Sequence, residues 1–262
     1  MKKCKVIAVC NQKGGVCKTS VSVNLGVGLA LQGKKVLILD GDPQGDCTTS
    51  LGWPDNDSLS VTLATLMEKV INDEPLDLHE GILHHAEGVD LIPANMELSG
   101  MEMALIGAMS RETVLRRYLE KVKQAYDYVI LDCMPSLGML TINALAAADC
   151  VIVPVQAQYL PAKGMTQLMK TIAKVKKQIN PSLTISGILM TLVNSRTTLA
   201  RATEDTLRQQ YGSHLRIYDT KIPLSVKAAE ASAAGQSIFV YDPGSRTAEA
   251  YVELARTVIN DA

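Results

Sequence analysis

The sequence predicts one α/β domain over residues 1–262, with a mostly parallel twisted sheet and helices on both faces. Three observations carry this. Short β-branched runs alternate along the chain with amphipathic stretches, as strand–helix–strand units require. The core has to be aliphatic, since one Phe and one Trp accompany eight Tyr, and strands rich in Val, Ile and Leu are those buried on both faces of a parallel sheet. Finally, no linker longer than a loop interrupts the pattern over 262 residues, a length that fits one large domain. With 47% hydrophobic and 20% charged residues, the chain has ample apolar surface to bury, which excludes disorder.

The elements follow in order. The opening MKKCKVIAVC has only a five-residue apolar run before Asn11 and Gln12, too short for a signal peptide or membrane span, and reads as a strand at Lys5–Val9. Further strands are expected at Lys35–Asp40, Val89–Ile92, Tyr128–Asp132, Cys150–Val155 and Thr184–Val193, with a short run near Leu215–Tyr218. Helices fill the intervals at Lys18–Gln32, Val61–Val70, Asn95–Tyr126, Lys163–Ile179, Thr198–Tyr211 and Ser245–Ile259. A first strand by residue 5 leaves no room for an N-terminal helix-turn-helix domain. Six cysteines without a CxxC pair indicate neither zinc nor a disulfide framework, and free thiols suit a reducing cytoplasm.

Between the first strand and first helix stand Asn11, Gln12, Lys13, Gly14, Gly15, Val16, Cys17, Lys18, Thr19 and Ser20. A strand, a glycine turn and a Lys-Thr pair opening a helix aim backbone N–H groups and a helix N-terminus at one point, which is how polyphosphate is held. Lys18 is placed to reach the β- and γ-phosphates and Thr19 to ligate Mg²⁺. The bland alternative is a glycine turn with a chance Lys-Thr. Two further segments run from apolar strands into carboxylates. Val36–Leu39 leads to Asp40 and Asp42, and Val129–Leu131 leads to Asp132, as a strand does when it carries an acid to Mg²⁺. Taken singly, these are a solvated acidic loop and an Asp-initiated turn. Together with the phosphate loop, they form one site at the carboxyl ends of parallel strands.

The K-G-G-x-x-K-[ST] spacing resembles the deviant Walker A motif of the ParA/MinD ATPases, a P-loop NTPase class. The likeness to the small Soj-like partition ATPases runs nearly end to end, through DGDPQG at 40–45, DCMPSLGMLTINAL at 132–145 and the segment 222–243 ending in YDP. The resemblance implies ATP with Mg²⁺ and catalytic roles for Lys13, Lys18 and Asp42. Asp42 would position the attacking water, Asp132 would hold Mg²⁺ through water, and Lys13 would cross a dimer interface to the partner subunit's phosphates. ATP would lie against residues 13–20, with Asn194 and Pro223 at the adenine. It implies a cytoplasmic, nucleoid-associated homodimer that binds duplex DNA without reading sequence and is stimulated by a ParB-like centromere-binding partner.

One loop has no need of two lysines for one nucleotide, so Lys13 acting in trans would sandwich two ATP molecules between two subunits. A cation inserted there is worth roughly 10³–10⁵ in rate by analogy with arginine fingers. Cys17 departs from the glycine usual in the family. A β-carbon at positive φ costs about 1–2 kcal/mol, so a nucleotide-gated binding module with little hydrolysis is an alternative. The helix N-terminus and Lys18 are also expected to lower the Cys17 thiol pKa. Met134 replaces a proline usual in the second switch loop.

Residues 161–227 hold eleven Lys/Arg against three Asp/Glu. Helix 163–179 places Met165, Leu168, Ile172 and Val175 on one face and Lys163, Lys170, Lys174 and Lys177 on the other. That stripe reads as a phosphate-backbone surface or as a solvated face. Arg196 and Lys227 fall where Soj-like relatives contact DNA. The absence of aromatics from helix 163–179 argues against stacking on single strands. A MinD-like positioning ATPase would end in a basic helix lying on lipid. Here the polar side of the last helix carries Glu249, Glu253, Arg256 and Asn260, more acid than base, so no membrane partner is expected. Scattered cysteines do not make an iron–sulfur site.

Overall fold

The computed structural model describes residues 4–157 and 162–261. In chain order it contains β1 (Lys5–Val9), α1 (Lys18–Ala30), β2 (Val36–Gly41), α2 (Asp46–Ser50), α3 (Leu63–Ile71), β3 (Leu83–His84), β4 (Val89–Ile92), α4 (Leu98–Gly107) and α5 (Val114–Val122). There follow β5 (Tyr128–Cys133), α6 (Met139–Ala147), β6 (Cys150–Gln156), α7 (Ala162–Gln178), β7 (Thr184–Thr191), α8 (Thr198–Tyr211), α9 (Val226–Ala233), α10 (Ile238–Tyr241) and α11 (Arg246–Asn260).

The strands form one sheet in the order β3-β4-β2-β5-β1-β6-β7. Every pairing is parallel except β3 with β4. Successive side chains of a strand point to opposite faces, and here both faces are covered. Val6, Ala8, Leu37, Leu39, Val129 and Leu131 meet α3 to α7 on one side. Ile7, Val9, Ile38 and Ile130 meet α1 and α11 on the other. Neither face can be polar, which is why the strands read as apolar runs. On the second side α1 lies close to α11. A β-carbon on Gly28 would stand 3.3 Å from Ala255 Cβ and 3.4 Å from the Tyr251 carbonyl oxygen, so any larger residue would push the helices apart.

Three expectations need correction. The helix over Asn95–Tyr126 is two helices, because Ala108 is extended and Ser110 adopts φ 51°. That break lets Leu105 and Val114, both fully buried, enter the same core. The run at Leu215–Tyr218 adds no strand. It makes one bridge, Ile188 with Ile217, through the bonds Ile188 N to Arg216 O and Tyr218 N to Ile188 O, each 2.9 Å. The strand begun at Thr184 stops at Thr191 because Leu192 turns left-handed at φ 51°. β3, α2, α9 and α10 are additional to the predicted set.

The strand order sets the site. Because β5 lies between β2 and β1, the loops leaving the carboxyl ends of these three strands converge. They are the glycine loop, the Asp42 loop and the segment after Asp132. This is the edge where open α/β sheets bind ligands.

Candidate nucleotide site

The glycine loop is pinned at both ends. Asn11 Nδ2 donates to the Pro154 carbonyl at the end of β6, 2.7 Å away, and Asn11 Oδ1 accepts from Lys13 N at 3.0 Å. From β7, Thr191 Oγ1 donates to the Val16 carbonyl at 3.0 Å. Gly15 sits at φ 70°, and nothing lies within 4 Å of a β-carbon placed on Gly14 or Gly15. The loop is therefore an open cradle, as backbone binding of a polyphosphate needs. The first amides of α1 carry no side-chain cap and no acid in the first turn, so the positive end of the helix is left for an anion.

Cys17 is the N-cap of α1, with φ 63° and ψ 33°. This is the left-handed region, where a side chain costs about 1–2 kcal/mol. The expected lowering of its thiol pKa is not found. Burial raises it, and the Ser20 hydrogen bond and the Lys18 charge only partly oppose that. The next residue, Lys18, is buried and folds back over the loop, its Nζ donating to the Lys13 carbonyl at 3.2 Å. Lys13 itself is exposed. The two lysines have separated, one folded into the cradle and one projecting from it.

Opposite the cradle, Asp132 is the penultimate residue of β5, at 1% exposure. Thr19 Oγ1 donates to its Oδ2 and Ser22 Oγ to its Oδ1, both at 2.8 Å. Burial lifts its carboxyl to about 6; the two hydroxyls and Lys18 pull it down, and Asp42 adds to the rise. A Thr hydroxyl beside a buried carboxylate next to a phosphate cradle is a donor set of hard oxygens that fits Mg²⁺. Ser22 was not singled out from sequence. Its signal is spacing, since positions 19 and 22 share one face of a helix.

Asp40 lies beside Asp132 in the β2–β5 register and is fully buried. Burial first and then the Asp132 charge raise its carboxyl to about 8, against the bonds from Thr48 and Asp42 N. Asp42 is half-buried. Its backbone N donates to Asp40 Oδ1 at 3.2 Å, and its own Oδ1 accepts from Gln44 N at 3.0 Å. Farther along the same edge, Asn194 and Pro223 line one open cleft of roughly 410 Å³ together with Arg196, Ser245 and Arg246. The cleft is held together by the bridge of Val193 with Pro223.

Known proteins resemble this chain in sequence and fold. The AAA_31 family model, an AAA domain, matches residues 4–185. The sporulation initiation inhibitor protein Soj of Bacillus subtilis is 43% identical over 97% of this chain and 98% of its own. The chain belongs to the Soj/ParA family. The chromosome partitioning protein ParA of Caulobacter vibrioides is 38% identical over 98% of this chain and 94% of its own. A crystal structure described as cobyrinic acid a,c-diamide synthase of Mycobacterium smegmatis, with bound ADP and magnesium, superposes with TM-score 0.85 at 37% identity, covering 98% of this chain and 94% of that one.

Lys170, Lys174 and Lys177 are exposed on α7, whose other face buries Met165, Leu168, Ile172 and Val175. Lys163 lies outside the described side chains. Arg196 is exposed, and its backbone N donates to Asn194 Oδ1 at 3.2 Å. Lys227 is more than half exposed, with Asp242 3.6 Å from its Nζ. No helix among the described residues is long and apolar enough to cross a membrane.

Proposed function

We propose that this chain is an ATP-dependent DNA partition ATPase whose ATP-bound form is a sandwich dimer. The observation that carries the reading is the separation of the two loop lysines. Lys18 lies in the cradle of its own subunit, and Lys13 is exposed to solvent, from where it would reach a second subunit. Residues 13–20 would hold the phosphates, Thr19 and Asp132 would hold Mg²⁺, and Asn194 and Pro223 would flank the adenine. The neighbour of known structure described with ADP and magnesium supports this cofactor pair.

Mg²⁺–ATP supplies the phosphoryl group. The residues of the chain position it and screen its charge. Lys18 and Lys13 neutralise the phosphate oxygens from two sides, and Asp42, half-open to solvent at the loop tip, orients the attacking water. Phosphoryl transfer relies mainly on such positioning and electrostatic stabilisation. The dimer brings two copies of Arg196, Lys227 and the α7 lysines together on duplex DNA, contacting phosphates rather than bases. A ParB-like partner accelerates a slow turnover and releases the DNA, which makes the protein a nucleoid-associated one in the cytoplasm. Its kinship with Soj and ParA supports this cycle.

The left-handed Cys17 favours a second reading, a nucleotide-gated DNA-binding module with little turnover. ATP hydrolysis measured with and without duplex DNA and a ParB-like protein separates the two. Turnover that rises with both supports the partition cycle. ATP-dependent DNA binding without turnover supports the module, and ATP affinity surviving Lys18→Ala would overturn the site.

A further inference from the structure

We propose that Thr48 is a positioning residue for Asp42, tying the Asp42 loop to the connection between β4 and α4. The inference rests on the reading of Asp42 as the water-orienting carboxylate.

Thr48 is fully buried in α2, and its one hydroxyl makes two bonds. It donates to Asp40 Oδ2 at 2.7 Å and accepts from Ala94 N at 3.0 Å. The Thr48 backbone N also donates to Asp40 Oδ2, at 2.8 Å. The other oxygen of Asp40 accepts from Asp42 N at 3.2 Å. Asp40 is thus held on one oxygen by Thr48 and holds the backbone of Asp42 with the other. A chain of bonds runs from Ala94 through Thr48 and Asp40 to Asp42. The same two loops meet a second time, where Gln44 Nε2 stands 3.9 Å from Met96 Sδ.

The arrangement is specific to a hydroxyl. A buried carboxylate must have its lone pairs filled by fixed donors, and the Ala94 amide needs an acceptor in the same dry place. Only a group that donates and accepts at once serves both. Valine has the same shape and does neither; serine does both. Without the hydroxyl, Asp40 keeps only backbone donors, the Ala94 amide loses its acceptor, and the Asp42 loop is no longer tied to the β4–α4 connection. Misplacement of a catalytic group by about 1 Å costs on the order of 100-fold in rate. The phosphate cradle and the adenine cleft do not use Thr48, so ATP affinity should not follow.

The test compares kcat, KM for ATP and thermal midpoint in the wild type, Thr48→Val and Thr48→Ser, with Asp42→Ala as reference. The expected result is a kcat reduced about 10- to 100-fold in Thr48→Val, KM within about twofold, and recovery of most of the rate in Thr48→Ser. Unchanged kcat in Thr48→Val, failure of serine to rescue, or a parallel loss of kcat and ATP affinity overturns the proposal. If Thr48→Val does not fold, Thr48→Cys, a weak donor and acceptor, is set against Thr48→Ser. A lower kcat for cysteine supports the relay and equal rates overturn it. Failure of the function reading looks different: the wild type would not turn over, or Asp42→Ala would turn over like the wild type.

Discussion

Asp40 and Asp132 stand side by side across adjacent parallel strands, both fully or almost fully buried. Burial lifts both carboxyls, to about 8 for Asp40 and about 6 for Asp132, and the Asp132 charge adds to the rise at Asp40. The folded protein therefore binds protons more tightly here than the unfolded chain does. Without nucleotide, this pair contributes stability that is full below the ordinary carboxylate range and is lost as the pH rises through about 6 and then about 8. Asp40→Asn should flatten that dependence. Urea unfolding at about pH 5.5 and about pH 7.5 should show the wild type losing more stability than the variant between the two, at a slope of at most about 1.4 kcal/mol per pH unit for one group. Equal pH dependence in both proteins would contradict the account.

The exposed position of Lys13 makes its role separable from that of Lys18. Lys13→Ala should bind ATP within about threefold of the wild type and lose hydrolysis by on the order of 10³-fold, the lower end of what a trans cation supplies. Nucleotide titration and turnover check the two halves. A hydrolysis rate within tenfold of the wild type would mean that this lysine does not act on phosphate.

Cys17 sits where glycine has no steric cost. Cys17→Gly relieves about 1–2 kcal/mol of left-handed strain and gives back part of that through a more flexible unfolded chain. A net gain of about 0.5–1 kcal/mol in denaturant unfolding is expected, with turnover equal to or above the wild type. Because burial raises the thiol, Cys17 should also alkylate no faster than an ordinary cysteine at neutral pH. Lower stability and lower turnover in Cys17→Gly would show that the side chain contributes more than its backbone conformation costs.

Reversing charge at Arg196 tests the proposed duplex surface. Arg196→Glu should weaken DNA binding by roughly tenfold or more and make it less steeply salt-dependent, since one phosphate contact is lost from each subunit. ATP affinity should be unchanged. Filter binding across a salt series reads both, and an unchanged salt slope would make this face merely solvated.

Much of this molecule is legible in its sequence, for identifiable reasons. The cradle announces itself because positive φ and close approach to phosphate demand glycines beside a Lys-Thr pair. Asp132 shows because a buried strand seldom ends in an acid. What escaped detection lacks local signals. The two helices within 95–126 part at Ala108–Ser110, where no proline marks the break. β3 is two residues long, too short for any periodicity. Asp40 reads from sequence as a carboxylate at a strand end, but not as a buried link, since that role depends on Thr48, eight positions on in a five-residue helix, and on Ala94, brought in by β4. Ser22 was hidden in a helix whose buried face is mostly apolar. In each case the missing information is a contact between segments distant in the chain.

The central claim is that ATP closes two copies of this chain over two nucleotides and so creates the DNA-binding form. Sedimentation velocity of Asp42→Ala, in which this account expects hydrolysis to be blocked, tests it most directly with ATP–Mg²⁺, with ADP–Mg²⁺ and without nucleotide, each with and without duplex DNA. The account predicts a single-chain mass with ADP or no nucleotide, a two-chain mass with ATP, and co-sedimentation with DNA only in the ATP sample. One unchanging mass in all three nucleotide states, or DNA binding indifferent to nucleotide, would contradict it.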